Sequence, residues 1–172
     1  MHEYNLPSRR FWLMWAVPLT LLGMGLRIAG ARGDLWFDEI LSLYLVTLAA
    51  SAFDILLISH DNNHLLNSLY LHSVGIYQPP IVLRGFSILL GTLSIPAAGV
   101  AAMGKSGSEG RAIVAMLLFA VAYPIVHFGS EARGYAGLIL ATLLAFHLVE
   151  TQKDTVRNRA MLGVVVIFGV LS

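Results

Sequence analysis

The sequence contains no cysteine, which excludes a disulfide framework, a thiolate metal site and a cysteine nucleophile. Charge is scarce as well. Asp, Glu, Lys and Arg make up 12% of the chain, against about a quarter in ordinary soluble domains. The formal net charge is +1, and the basic residues are scattered rather than striped, which excludes a nucleic-acid partner. No internal repeat or low-complexity tract interrupts the chain. What remains is apolar: 57% of the 172 residues are hydrophobic and the mean hydropathy is +0.74. That balance belongs to an integral, multi-pass membrane protein.

Apolar runs predict an all-α, polytopic transmembrane helix bundle with spans over about residues 11–29, 84–103, 112–128, 135–149 and 160–172. The first run is long enough to cross and lacks a small-residue cleavage site, so it reads as a retained anchor rather than a signal peptide. Lys and Arg cluster at Arg9 and Arg10, at Lys105 and Arg111, and at Lys153, Arg157 and Arg159. With those segments cytoplasmic, the amino terminus is inside, and residues 30–83 and the 129–134 turn face outward from a cell inner or plasma membrane. The outer loop then carries Asp34, Asp38, Glu39, Asp54 and Asp61 against Arg32 alone. Within it, residues 65–80 hold Asn67, Ser68, His72, Pro79 and Pro80, and are expected to lie at the interface without crossing. Residues 1–172 read as one unit, the amino-terminal part of a larger transmembrane domain.

Four polar islands stand out from this background. In DLWFDEI, residues 34–40, a helix starting near Trp36 places Phe37, Ile40, Leu41, Tyr44 and Leu48 on one apolar face. Asp38 and Ser42 share a more polar side, while Glu39 lies in line with Leu43 and Val46 and should be drier. Adjacent carboxylates in unequal surroundings suit a base beside an acceptor. The plainer account has Asp34 capping the helix and both acids favouring its first turn. In HDNNHLLN, residues 60–67, His60 and His64 are four apart, but Asp-Asn-Asn is turn chemistry, so no metal ligand set emerges. His64 instead starts the interfacial helix and points toward the pocket of Asp38. Arg84 sits at the outer end of a span, either as a phosphate holder or as a snorkel to headgroups. In FGSEARGY, residues 128–135, Glu131 and Arg133 pair with each other or complete the same pocket. Tyr135 offers an interfacial anchor or a hydroxyl.

Trp36-Phe37-Asp38-Glu39, Asn63-His64-Leu65-Leu66, Arg84-Gly85-Phe86-Ser87 and Ser130-Glu131-Ala132-Arg133-Gly134-Tyr135 occur in an order and spacing that resembles the membrane-embedded glycosyltransferases of the GT-C type. The resemblance is to the branch containing protein O-mannosyltransferases and lipid A aminoarabinose transferases. It departs where many members have His-Pro-Pro-Leu and this chain has His64-Leu65-Leu66-Asn67. The resemblance implies transfer of a sugar from a polyprenyl-phosphate donor to a glycan, lipid or protein acceptor at the outer face. It implies catalytic carboxylates at Asp38, the base, and Glu39. Substrate contacts would come from His64, Arg84, Glu131, Arg133 and Tyr135, with Arg84 and Arg133 stabilising the leaving phosphate. Relatives differ in whether a divalent metal takes part, and this chain offers no convincing ligand set for one; no other cofactor is expected, and the portion present is expected to be inactive alone. The competing expectation is a non-catalytic membrane subunit or assembly partner, whose acids would be scattered rather than convergent. Transport is disfavoured because the charges collect at span ends.

Overall fold

The structure, a computed structural model, describes residues 8–60, 64–104, 107–151 and 155–172. Asp61 and Asn63 of the second island, and Lys105 and Lys153 of the charge pattern, lie outside the described residues. The described chain is all-α, with no strand.

Helix α1 covers Trp12–Gly30. Pro18, near the start of its regular part, has no N–H for the ladder, and the preceding Trp12–Ala16 stretch runs as a π-turn. Four short helices follow at one end of the bundle: α2 (Phe37–Thr47), α3 (Ala52–Ile55), α4 (Leu65–Val74) and α5 (Pro80–Leu83). Ser51 caps α3 by accepting from the Asp54 N–H, while Asp54 Oδ2 accepts from Ser51 N–H at 2.8 Å. Gly75, at φ 85°, closes α4 in a conformation that a side chain would oppose.

The remaining helices are α6 (Gly85–Met103), α7 (Glu109–Val121), α8 (Tyr123–Phe128), α9 (Tyr135–Thr151) and α10 (Val156–Leu171). Helix α6 is central, packing on α1, α7 and α9, with α10 against α9. Ile95 of α6 meets Phe11, Ala16, Met116 and Ala120 in the main core. A second core beneath the short helices joins Val46, Leu71, Leu83 and Ala132.

Only α1 and α6, among the described residues, are long and apolar enough to cross a membrane. Of the five expected spans, 11–29 and 84–103 correspond to these two helices. The expected 112–128 span is two helices. Pro124 cannot donate to the helical ladder, and Ala122 turns out to ψ 122°. The expected 65–80 element is helical only over α4 and is followed by a turn.

The break between α7 and α8 lies beside a buried charge that was not singled out from the sequence. Arg27, within α1, is 0% exposed. Its Nη2 donates to the Phe119 carbonyl at 3.0 Å, next to the break, and its Nη1 donates to the Gly23 carbonyl at 2.9 Å. The stem lies against Gly91 and Gly129, where a Cβ would meet Arg27 Nε at 2.8 and 2.6 Å.

Candidate functional site

Arg84, between α5 and α6, organises the end of the bundle that carries the short helices. Its guanidinium is buried and all five N–H donors are used. Nε donates to Glu39 Oε1 at 2.8 Å, and Nη2 to Glu39 Oε2 at 2.6 Å and to the Asp34 carbonyl at 2.8 Å. Nη1 donates to the carbonyls of Ala31 and Gly33, both at 2.8 Å. This fork-to-fork ion pair also draws the 31–34 backbone around it. In this arrangement Arg84 directs all five donors inward, to Glu39 and to the 31–34 backbone.

Glu39 is equally committed. Oε1 also accepts from the Ala132 N–H at 2.6 Å, and Oε2 from the Trp36 N–H at 2.8 Å. Four charge-assisted hydrogen bonds fill its two oxygens. Burial alone would raise its pKa, but the bonds from Arg84, Ala132 and Trp36 outweigh burial and hold it below the ordinary carboxylate value. The bond to Trp36 N–H also makes Glu39 the cap of α2, from its N3 position. Asp34 is therefore not the cap; it contributes its carbonyl to Arg84 instead. The buried face of α2 comprises Glu39, Ser42, Leu45 and Val46. Ser42 is thus buried beside Glu39 rather than on a wet side with Asp38, and its Oγ donates to the Asp38 carbonyl at 3.0 Å.

Asp38 points the other way. Its side chain is 49% exposed, and Oδ2 accepts from Arg133 Nη1 at 2.9 Å. Arg133 lies over the Tyr135 ring, 4.6 Å from its centroid, and its Nη2 donates to a Tyr135 hydroxyl at 2.9 Å. His64 is the N-cap residue of α4, with its ring centroid 5.3 Å from that of Tyr135. Burial first, and the positive charge of Arg133 second, lower its pKa. His60 precedes α4 outside any helix, so the two histidines do not share a helical face. Among the described residues, no three His, Asp or Glu side chains gather as metal ligands.

The 130–133 backbone is pinned from two further directions. Asn67 Nδ2 donates to the Ala132 carbonyl at 2.8 Å, and Ser87 Oγ to the Arg133 carbonyl at 2.8 Å. Glu131 does not pair with Arg133 but with His127, with Nε2 to Oε1 at 3.0 Å. Burial raises the Glu131 pKa, with Glu39 adding to the rise and His127, Arg133 and Arg84 opposing it. His127 and Asn67 were not singled out from the sequence as site residues. The legible signal for His127 was its place four residues before Glu131, one helical turn away.

Asp38, Glu39, His64, Arg84, Glu131, Arg133 and Tyr135 therefore meet at one end of the bundle, joined by contacts that link residues 36–39, 64, 84 and 131–135. A separate apolar groove of about 430 Å³ lies between α9 and α10, lined by Leu138, Phe146, Val166 and Val170 among others. None of the expected site residues lines it. The chain matches no protein-family model, no curated protein and no solved structure.

Proposed function

We propose that this chain is part of a GT-C-type, membrane-embedded glycosyltransferase that moves a sugar from a polyprenyl-phosphate donor to an acceptor at the outer membrane face. The observation that carries the proposal is the Asp38–Arg133 pair, which joins residues 95 apart in sequence. Membrane residence draws on α1 and α6 and on the apolar side chains exposed around the bundle, among them Leu13, Leu21, Val114, Leu118, Val149 and Val170. The inward-facing end is the one with residues 107–111, and the amino terminus is cytoplasmic.

Asp38 is the base. When the donor phosphate arrives, Arg133 turns from Asp38 to the phosphate, so the leaving group gains a cation as the carboxylate is released to act. The acceptor hydroxyl or amine gives its proton to Asp38 and attacks the anomeric carbon. The bond from that carbon to the phosphate oxygen breaks, leaving a polyprenyl phosphate. His64, neutral at neutral pH, and Tyr135 orient the sugar. Glu39 and Arg84 are positioning residues that hold the 31–39 and 130–135 segments together. Their saturation is also what a non-catalytic subunit would display, so the experiment targets Asp38.

The complete reading frame is expressed, and its membranes are incubated with labelled polyprenyl-phosphate sugars. Asp38→Asn should lower transfer about 10²- to 10⁴-fold with unchanged membrane insertion. Undiminished transfer would remove Asp38 as the base, and no transfer by the parent chain with any such donor would favour the subunit.

A further inference from the structure

Beside the Asp38–Arg133 pair, a second group of side chains has a different character. Trp36 is 61% exposed and Tyr123 is 76% exposed. Between them lies His127. The Trp36 ring stands at 89° to it with centroids 6.1 Å apart, and the Tyr123 ring is stacked within 12° at 5.4 Å. The three rings form a corner of two aromatic planes at right angles. Glu131, buried, meets His127 Nε2 through its Oε1 at 3.0 Å.

An acyl chain would meet the aromatic planes but leave the His–Glu pair without a partner, and a free anion would meet a carboxylate. A pyranose satisfies both parts. One face of its ring presents C–H groups that lie on an aromatic plane, and its edge presents hydroxyls that donate to a carboxylate and exchange hydrogen bonds with an imidazole.

We propose that Trp36, Tyr123, His127 and Glu131 form a pyranose-binding subsite, with the sugar ring stacked in the aromatic corner and its hydroxyls bound by the His127–Glu131 pair. The subsite rests on the sugar-transfer proposal for its setting, and it names which side chains take the ring. His127 and Glu131 act here as binding groups and not in proton transfer at the reacting carbon.

The test uses the chain in lipid nanodiscs with Trp12→Phe and Trp15→Phe, so that Trp36 is the only tryptophan. Methyl pyranosides of several configurations are titrated while Trp36 fluorescence is recorded, with acyclic sorbitol as the control. At least one pyranoside should give a saturable change that sorbitol does not. Tyr123→Ala and Glu131→Gln should each weaken that binding roughly tenfold. Saturation-transfer NMR on the unaltered chain and on Tyr123→Ala repeats the comparison if the tryptophan variant does not fold. No response to any pyranoside overturns the subsite, as does a response that both substitutions leave unchanged. Quenching of Trp36 by lipids brominated on their acyl chains, without a pyranoside response, would make the corner a lipid anchor and also overturns it. The two proposals fail separately. Pyranoside binding by a chain with no transfer activity keeps the subsite and sinks the transferase. Transfer that Asp38→Asn abolishes, without pyranoside binding, sinks the subsite alone.

Discussion

Arg84→Met removes the group on which two segments at the short-helix end of the bundle converge. Glu39 loses two of its four hydrogen bonds, and the carbonyls of Ala31, Gly33 and Asp34 lose their donor. Water can reach the carbonyls of Gly33 and Asp34, which are exposed, but not that of the buried Ala31. It cannot reach Glu39, which would be left as an uncompensated buried charge. Breaking such a pair from one side costs about 3–5 kcal/mol, which corresponds to an opening of α2 roughly 10²- to 10⁴-fold more frequent. The absence of native cysteine supplies the assay. Ser42→Cys places a near-isosteric thiol on the buried face of α2, and its rate of maleimide labelling reports opening. Arg84→Lys, with three donors for five acceptors, should raise the rate about tenfold. Glu39→Gln combined with Arg84→Met should recover much of the protection, since no lone charge remains. Acid acts on the same pair. The folded-state pKa of Glu39 lies below the ordinary carboxylate value of 4.5, so its contribution is full above that value and is lost as pH falls through the folded one. Labelling should therefore accelerate in acid in the parent but not in Glu39→Gln. A rate in Arg84→Met within threefold of the parent would refute the account of Arg84 as an anchor.

Three other outcomes follow from the geometry. Glu131 has a raised pKa, so its ionisation opposes folding as pH rises through the folded value. Glu131→Gln should increase the thermal midpoint at pH 8 more than at pH 4, measured by nanodisc scanning fluorimetry. Gly91→Ala places a Cβ 3.0 Å from the Gly129 backbone and 2.8 Å from Arg27 Nε. It should lower stability by about 1–3 kcal/mol, seen as a lower midpoint in the same scan. Single cysteines at Gly110, where a Cβ meets open space, and at Tyr77, which is exposed in the 30–83 segment, should label from opposite sides of sealed vesicles; labelling from one side would break the proposed topology.

The unequal fates of Asp38 and Glu39 were legible, because helical phase put Glu39 in line with Val46 and the structure buries both. The meeting of Asp38, His64, Glu131 and Arg133 was expected from the charge pattern that puts their segments on one side, and from the motif pattern, since no local rule brings residue 38 to residue 133. Ser42 was misplaced because a hydroxyl is cheap to bury when a carbonyl one turn back accepts from it. The Arg84–Glu39 pair was not read from the sequence because its partners lie 45 positions apart, and the other three acceptors of Arg84 are main-chain carbonyls, which have no side-chain signature. The break at Ala122 was visible in Pro124, but a continuous apolar run concealed it. Arg27 was equally visible as a lone charge inside an apolar run, flanked by Gly23 and Gly25. Its acceptor at Phe119 is 92 positions away, and that distance is what kept it from being read.

The bond from Ala132 to Glu39 also sets an order of manufacture. Synthesis delivers Glu39 first, its arginine 45 positions later and the amide that completes its shell 93 positions later. A nascent chain therefore carries a half-quenched acid until residues beyond α8 have emerged. Any delay in that step would leave residues 31–39 without their final shape, and open to proteolysis, for as long as the wait lasts.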